Sequence, residues 1–361
     1  MNKIFKILKV AVFLILLFVL LKLLSSIFVP KISQEVHTVK SFYTEPKNSL
    51  DVVFLGDSAV YRGISPIILW KNHKIASYAY ATSAERIWTT YYTLQETLKY
   101  QTPKLVVLNT EGIYINVAQG ETFFRLSMDN KKDSIVKFKA VTDKIYNNDF
   151  FDVVSFAFPI LRFHDRWEKI TKKDFMSITA DTHYFTKGYG LTTGVKANKK
   201  FVDYFKYRED ETPISENNLK YLNKIVDLCR EKKIELLFIS IPNAATWDYA
   251  KHNSFVKYAK SVNIPYVDFN VYSDEYGLDL NYDTCDGGSH LNVYGAEKLT
   301  AYLGEYLVKN YKFEDHSNDA RYEQWELDAK KYEEEKVKEK YNKTFSRKKS
   351  DRKTDKIHNI H

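Results

Sequence analysis

Three residues invite a chemical reading before any element is assigned. Ser58 closes the tripeptide Gly56-Asp57-Ser58, which follows directly on the apolar run "LDVVFL" at Leu50 to Leu55. A nucleophilic serine needs a turn that exposes its hydroxyl beside backbone N–H groups able to hold an oxyanion. A strand that ends in a small residue and feeds a helix supplies both. His290 stands far downstream in "DTCDGGSHLNVYGAEKLTAYL", in a glycine-containing loop ahead of an amphipathic stretch. From such a loop an imidazole could reach the serine across a sheet and act as its general base. Asp286 would then fix the imidazole tautomer and stabilise the cation formed on proton abstraction. Each residue also has a plain structural reading. Ser58 could cap the following helix, His290 could be an ordinary loop residue, and Asp286 could shape a turn with Gly287 and Gly288.

The elements that would have to position these residues are legible outside the middle of the chain. Short apolar runs at Leu50–Leu55, Ile75–Tyr80, Leu105–Leu108, Ile234–Ile241 and Ile264–Phe269 suit buried strands. Between them, helices are expected from Ile64 to Trp70, with Ser65 as N-cap and Pro66 in the first turn, and from Ile87 to Tyr100. Two more run from Ser215 to Arg230 and from Val293 to Tyr311. Alternation of this kind makes an α/β fold with a mostly parallel sheet and helices on both faces. Ligands in such sheets bind at the carboxyl ends of the strands, where Ser58 falls. The stretch from about Phe123 to Tyr207 is irregular and rich in aromatics, and reads as an insertion. It contains His164-Asp165-Arg166, which could line a substrate cleft or serve packing alone.

Both ends are basic. Residues Ile4 to Val29 are nearly all apolar, with Lys3, Lys6 and Lys9 at the start and Lys22 toward the far end. Lys22 can snorkel, so the run approaches the ~20 residues a bilayer requires, and the leading lysines put the N-terminus in the cytoplasm. A cleaved signal peptide is the competing reading, but the exit Leu23-Leu24-Ser25-Ser26-Ile27-Phe28-Val29-Pro30 makes a poor cleavage site. At the other end, Arg321 to Asn342 reads as a solvated charged helix and Lys343 to Lys356 as a disordered basic arm. With these ends set aside, the formal charge of +8 leaves little for the body. No interleaved basic and aromatic motif points to nucleic acid, and an anionic lipid surface or wall polymer suits the basic ends better. The two cysteines, Cys229 and Cys285, read as thiols rather than a disulfide pair, and no Cys/His spacing suits a metal.

Gly56-Asp57-Ser58 after the first strand and His290-Leu291-Asn292 with Gly295 before the last helix resemble the SGNH/GDSL hydrolase family. The "HLN..G" form looks like membrane-anchored bacterial members, some similar to the D-alanyl transfer protein of teichoic-acid modification and others to polysaccharide O-acetyltransferases. The resemblance spans roughly Asn48 to Tyr311. It implies a flavodoxin-like three-layer fold in residues 48–311, after an anchor in 1–30 and a linker in 31–47, and before a charged tail in 312–361. It also implies a membrane-anchored, extracytoplasmic serine esterase or acyltransferase, with Ser58 as nucleophile and no metal or organic cofactor. Its substrate or acceptor would be a cell-envelope glycan or teichoic-acid-like polymer, with a membrane O-acyltransferase as a further partner. Two departures stand out. The family's aspartate lies three residues before its histidine, where this chain has Gly287, so either Asp286 or Asp283 would have to serve. The second-block glycine is missing from Ala81-Thr82-Ser83, which leaves Asn109 and Ser83 as oxyanion candidates. These departures keep open a catalytically silent SGNH-like module that binds envelope polymers or supports a membrane acyltransferase.

Overall fold

Five parallel strands order the chain in the computed structural model, which describes residues 2–31, 33–117, 119–143, 150–177 and 182–358. They are β1 (Val52–Gly56), β2 (Ser77–Ala81), β3 (Leu105–Asn109), β4 (Glu235–Ser240) and β5 (Tyr266–Asp268), in the order β2-β1-β3-β4-β5. Val52 pairs with Ser77 on one side and Leu105 on the other, and Leu105 pairs in turn with Glu235. Every residue of β1, β2 and β3 is buried. That is why these runs are continuously apolar rather than alternating: both faces of the sheet are covered. The strand order is the flavodoxin-like one, with its switch point between β1 and β3.

The helices supply the covering layers. Ahead of the sheet lie α1 (Asn2–Phe28) and α2 (Gln34–Phe42). After β1 come α3 (Ser58–Gly63) and α4 (Pro66–His73), and α5 (Ile87–Thr97) links β2 to β3. The middle segment holds α6 (Glu121–Met128), α7 (Ile135–Val141), α8 (Phe150–Ala157), α9 (Ile160–Phe163) and α10 (Lys172–Met176). Its residues 144–149 and 178–181 lie outside the described set. The second half contributes α11 (Glu216–Lys232), α12 (Tyr249–Ser261), α13 (Val293–Asn310) and α14 (Glu323–His358). One layer is formed by α3, α4 and α13, and another by α5 with α11. Ser65 and Pro66 start α4, and the Ser215 hydroxyl accepts from the N–H of Asn218 to start α11, as their residue types dictate.

The elements that differ from the expectation include α2, which lies in the stretch 31–47 read as a linker yet buries Val39 and Phe42 in the core. The helix α12 was not read from the sequence, because it buries only Ala250, Phe255 and Ala259 and so carries a weak amphipathic signal. The backbone of α14 is helical through His358, where the sequence reading has a disordered arm from Lys343, whose side chain lies outside the described set. No glycine or proline interrupts that run, so nothing in its backbone chemistry stops the helix. Near its start α14 docks on α4, with Trp325 against Trp70 at 5.2 Å and Glu326 accepting from the Trp70 indole. Beneath this contact the Lys187 ammonium, itself buried, is held between Glu45 and Asp328. The first helix, α1, is long and apolar enough to cross a membrane, with a mean hydropathy of 2.9 over its apolar window.

Candidate active site

The backbone at the end of β1 is built to present Ser58. Gly56 takes φ +149°, and a Cβ there would lie 2.8 Å from Val60 and 3.0 Å from Asn109. Only glycine lets strand and helix approach so closely. Asp57 is the N-cap of α3: its carboxylate accepts from the N–H of Ala59 at 3.1 Å. Ser58 is therefore the first helical residue, and its side chain is half-buried at the carboxyl end of the sheet.

His290 reaches it from the opposite end of the chain. Its Nε2 lies 2.8 Å from Ser58 Oγ, and its Nδ1 lies 2.5 Å from Asp286 Oδ2. The loop carrying both residues is closed by an antiparallel bridge between Thr284 and Leu291, and the N–H of Cys285 donates to the carbonyl of His290. Within it, Gly287 at φ +96° and Gly288 at φ +113° take up the extra residue of the four-residue spacing. The chain doubles back so far that Asp286 Oδ1 also accepts from the N–H groups of Ser289 and His290. Partial burial works to raise the Asp286 carboxyl, but the imidazole and these two backbone donors outweigh it and hold the group below its usual value. Asp283 is placed elsewhere. Its buried carboxylate accepts from the N–H of Asp279 and pairs with Lys298 at 2.7 Å. Cys229 is buried, and the Cys285 sulfur lies 3.6 Å from the carbonyl oxygen of His290.

The two oxyanion candidates part company. Asn109 ends β3 beside Gly56, and its Oδ1 accepts from the N–H of Ile241 at 3.1 Å. That bond turns the amide so that Nδ2 faces Asp57, to which it donates at 3.4 Å. Ser83 is engaged away from this corner. Its hydroxyl donates to the buried carboxylate of Glu35 and accepts from the Tyr61 phenol, so its O–H is not available to an oxyanion. The neighbouring Ala84 takes a left-handed φ of +52°. Arg166 joins the packing around α1, its guanidinium donating to the carbonyl of Phe28, while His164 and Asp165 are exposed.

The structure also gathers two carboxyls that were not anticipated in these roles. Burial pushes the fully enclosed Asp57 carboxyl upward. Glu111, two residues past the end of β3, is raised to about 8 by burial and by the charge of Asp57. Its Oε1 accepts from Asn243 and Thr246, while Oε2 is buried without a hydrogen-bond partner among the described residues. The signal for Glu111 was its position on the same strand-end rim as Ser58 and Asn109. A cleft of about 790 Å³ is lined by Asn198, Tyr204, Phe205, Tyr249 and Asn270 rather than by Ser58 or His290. It lies beside the loop, since a Cβ on Gly288 would touch Asn198.

No family model matches the chain, and no curated protein matches it. Among solved structures, it is similar to one described as an acylhydrolase from Bacteroides fragilis, at 13% identity and a TM-score of 0.36, covering 76% of this chain and 95% of that one. A GDSL-like lipase from Bacteroides thetaiotaomicron matches at 13% identity and a TM-score of 0.33, over 72% of this chain and 87% of the other. A chain described as a lipolytic protein of the G-D-S-L family from Desulfitobacterium hafniense matches at 10% identity and a TM-score of 0.35, over 71% and 99%.

Proposed function

We propose that this chain is a membrane-anchored serine esterase or acyltransferase that works through an acyl-enzyme on Ser58. One observation carries the reading: an unbroken hydrogen-bonded chain runs from Asp286 through both ring nitrogens of His290 to Ser58 Oγ. In the first half-reaction Ser58 Oγ attacks the ester carbonyl carbon while His290 Nε2 takes its proton. The tetrahedral oxyanion is held by the Ser58 N–H and by Asn109 Nδ2. Collapse expels the alcohol, which leaves with the proton from His290. Water or a polymer hydroxyl, deprotonated by the same imidazole, then attacks the acyl-enzyme and releases Ser58.

The proposed substrate or acceptor is a cell-envelope polysaccharide or teichoic-acid-like polymer. Anchoring supports that setting. The far end of α1 and the residue after it are part of the domain, with Ser25, Ile27 and Val29 buried in it, so a segment removed by cleavage would take packed residues with it. A polymer-binding module without catalysis is the second reading, favoured by the engagement of Ser83 with Glu35. One experiment separates them. The full chain should be labelled by a fluorophosphonate probe, and Ser58→Ala should abolish labelling while leaving the circular dichroism spectrum unchanged. No labelling of the wild type, or equal labelling of the variant, refutes the enzyme.

A further inference from the structure

Where the domain meets the end of α1, it offers a surface whose chemistry matches neither water nor a protein core. The Lys22 ammonium is drawn off the helix to the carboxylate of Asp133 at 2.5 Å and the carbonyl of Ala157 at 2.6 Å. Phe18, one turn earlier and about 6 Å along the axis toward the middle of α1, packs edge-on against Phe158 at 5.7 Å. The domain therefore extends past the level at which charge leaves α1 and reaches toward its purely apolar stretch. A cavity of about 300 Å³ opens there, with Phe18, Phe138, Val141, Val153, Phe156 and Phe158 as its apolar lining and Lys22, Asp133, Ser134 and Lys137 as its polar one. Beside it, α7 leaves Ile135 65% and Phe138 56% exposed. These residues stand one helical turn apart, between the exposed lysines Lys132 and Lys139.

We infer that this groove and the outer face of α7 are seated in the bilayer leaflet on the domain's side, with phospholipid acyl chains filling the cavity and acidic headgroups meeting the lysines. The occupant is fixed by continuity. The groove shares Phe18 with α1, whose apolar window has none of its residues buried in the protein, so whatever covers α1 at that level covers the groove. Flanking lysines around exposed aromatic and aliphatic side chains are the composition of an interfacial helix. The consequence is geometric. The domain is held at two places on the membrane, α1 and α7, and cannot swing freely about its anchor.

This inference rests on the anchor reading of α1, and the test keeps the two apart. Benzoylphenylalanine is placed singly at Leu14, Ile135, Phe138 and Val202 in the full chain, reconstituted in vesicles of phosphatidylcholine and phosphatidylglycerol. All four side chains are exposed, so none should disturb folding. After irradiation, mass spectrometry should find phospholipid adducts at Leu14, Ile135 and Phe138, and none at Val202. Adducts at Leu14 with none at Ile135 or Phe138 overturn the groove and leave the anchor standing. No adducts at Leu14 overturn the anchor and the groove together, without touching the chemistry assigned to Ser58.

Discussion

Asp286 holds His290 twice, accepting from its backbone N–H through Oδ1 and bonding its ring Nδ1 through Oδ2. One carboxylate thus fixes both where the residue starts and which way the imidazole points. Asp286→Asn keeps an acceptor but can present its N–H₂ to the ring, which favours the wrong tautomer. Ester turnover should fall by about 10⁴, the scale seen when a triad carboxylate becomes an amide. Asp283→Asn should do otherwise, lowering the melting temperature through the lost Lys298 pair while turnover stays near wild type. Reversal of these two outcomes in steady-state kinetics would move the triad to Asp283.

The turn at Gly287 makes that grip reachable. Its φ of +96° is costly for any residue with a side chain, although a Cβ there would make only ordinary van der Waals contacts, the nearest at 3.6 Å. Gly287→Val should therefore act through strain rather than collision, at about 1–3 kcal/mol. The loop can relieve this by swinging Asp286 off the ring. We expect kcat to fall steeply while the melting temperature drops by a few degrees, with Ser58 still present but poorly labelled by fluorophosphonate. Unchanged kcat would mean that the carboxylate is not needed where it stands.

The fold was legible where burial was uniform. The apolar runs "VVFLG" and "LVVLN" are strands covered on both faces, and their lack of alternation announces that directly. Ser58 and His290 were legible because each sits at a strand end or helix start with glycine nearby. What could not be read was anything set by side-chain direction. That Asp286 rather than Asp283 meets the imidazole depends on two positive φ angles, and the spacing alone leaves both open. Ser83 shares its neighbourhood with residues that could use an oxyanion donor. Only the approach of Glu35 from α2 shows that its hydroxyl is spent.

Asn109 and Ser83 can be told apart by kinetics. Asn109→Ala removes the proposed amide donor and leaves the buried N–H of Ile241 unpaired. The first effect should lower kcat by about 10²–10³ with little change in KM. The second should cost about 1–3 kcal/mol of stability. Ser83→Ala should leave kcat near wild type, because its O–H already serves Glu35. A larger kcat loss at Ser83 than at Asn109 in a pre-steady-state acylation assay would reverse the assignment.

Glu111 gives the site a signature in pH that does not depend on knowing the substrate. In the folded chain burial and the neighbouring Asp57 hold its proton up to about 8, against 4.5 for the free side chain. Between those values the unfolded chain releases this proton while the folded chain keeps it. The group's contribution is therefore fully present below about 4.5, is lost as pH rises toward 8, and changes no further above that. Each unit of displacement is worth about 1.4 kcal/mol, so the window spans a few kcal/mol. Glu111→Gln retains Oε1 as acceptor for Asn243 and Thr246 but has no proton to lose. Denaturant unfolding of the two proteins should give stabilities that diverge in the variant's favour as pH rises, with some slope remaining from the buried Asp57. Two curves that stay parallel from acid to alkali would show that Glu111 ionises as freely as it does in water, and that the enclosure around Asp57 and Ser58 is not as tight as the packing indicates.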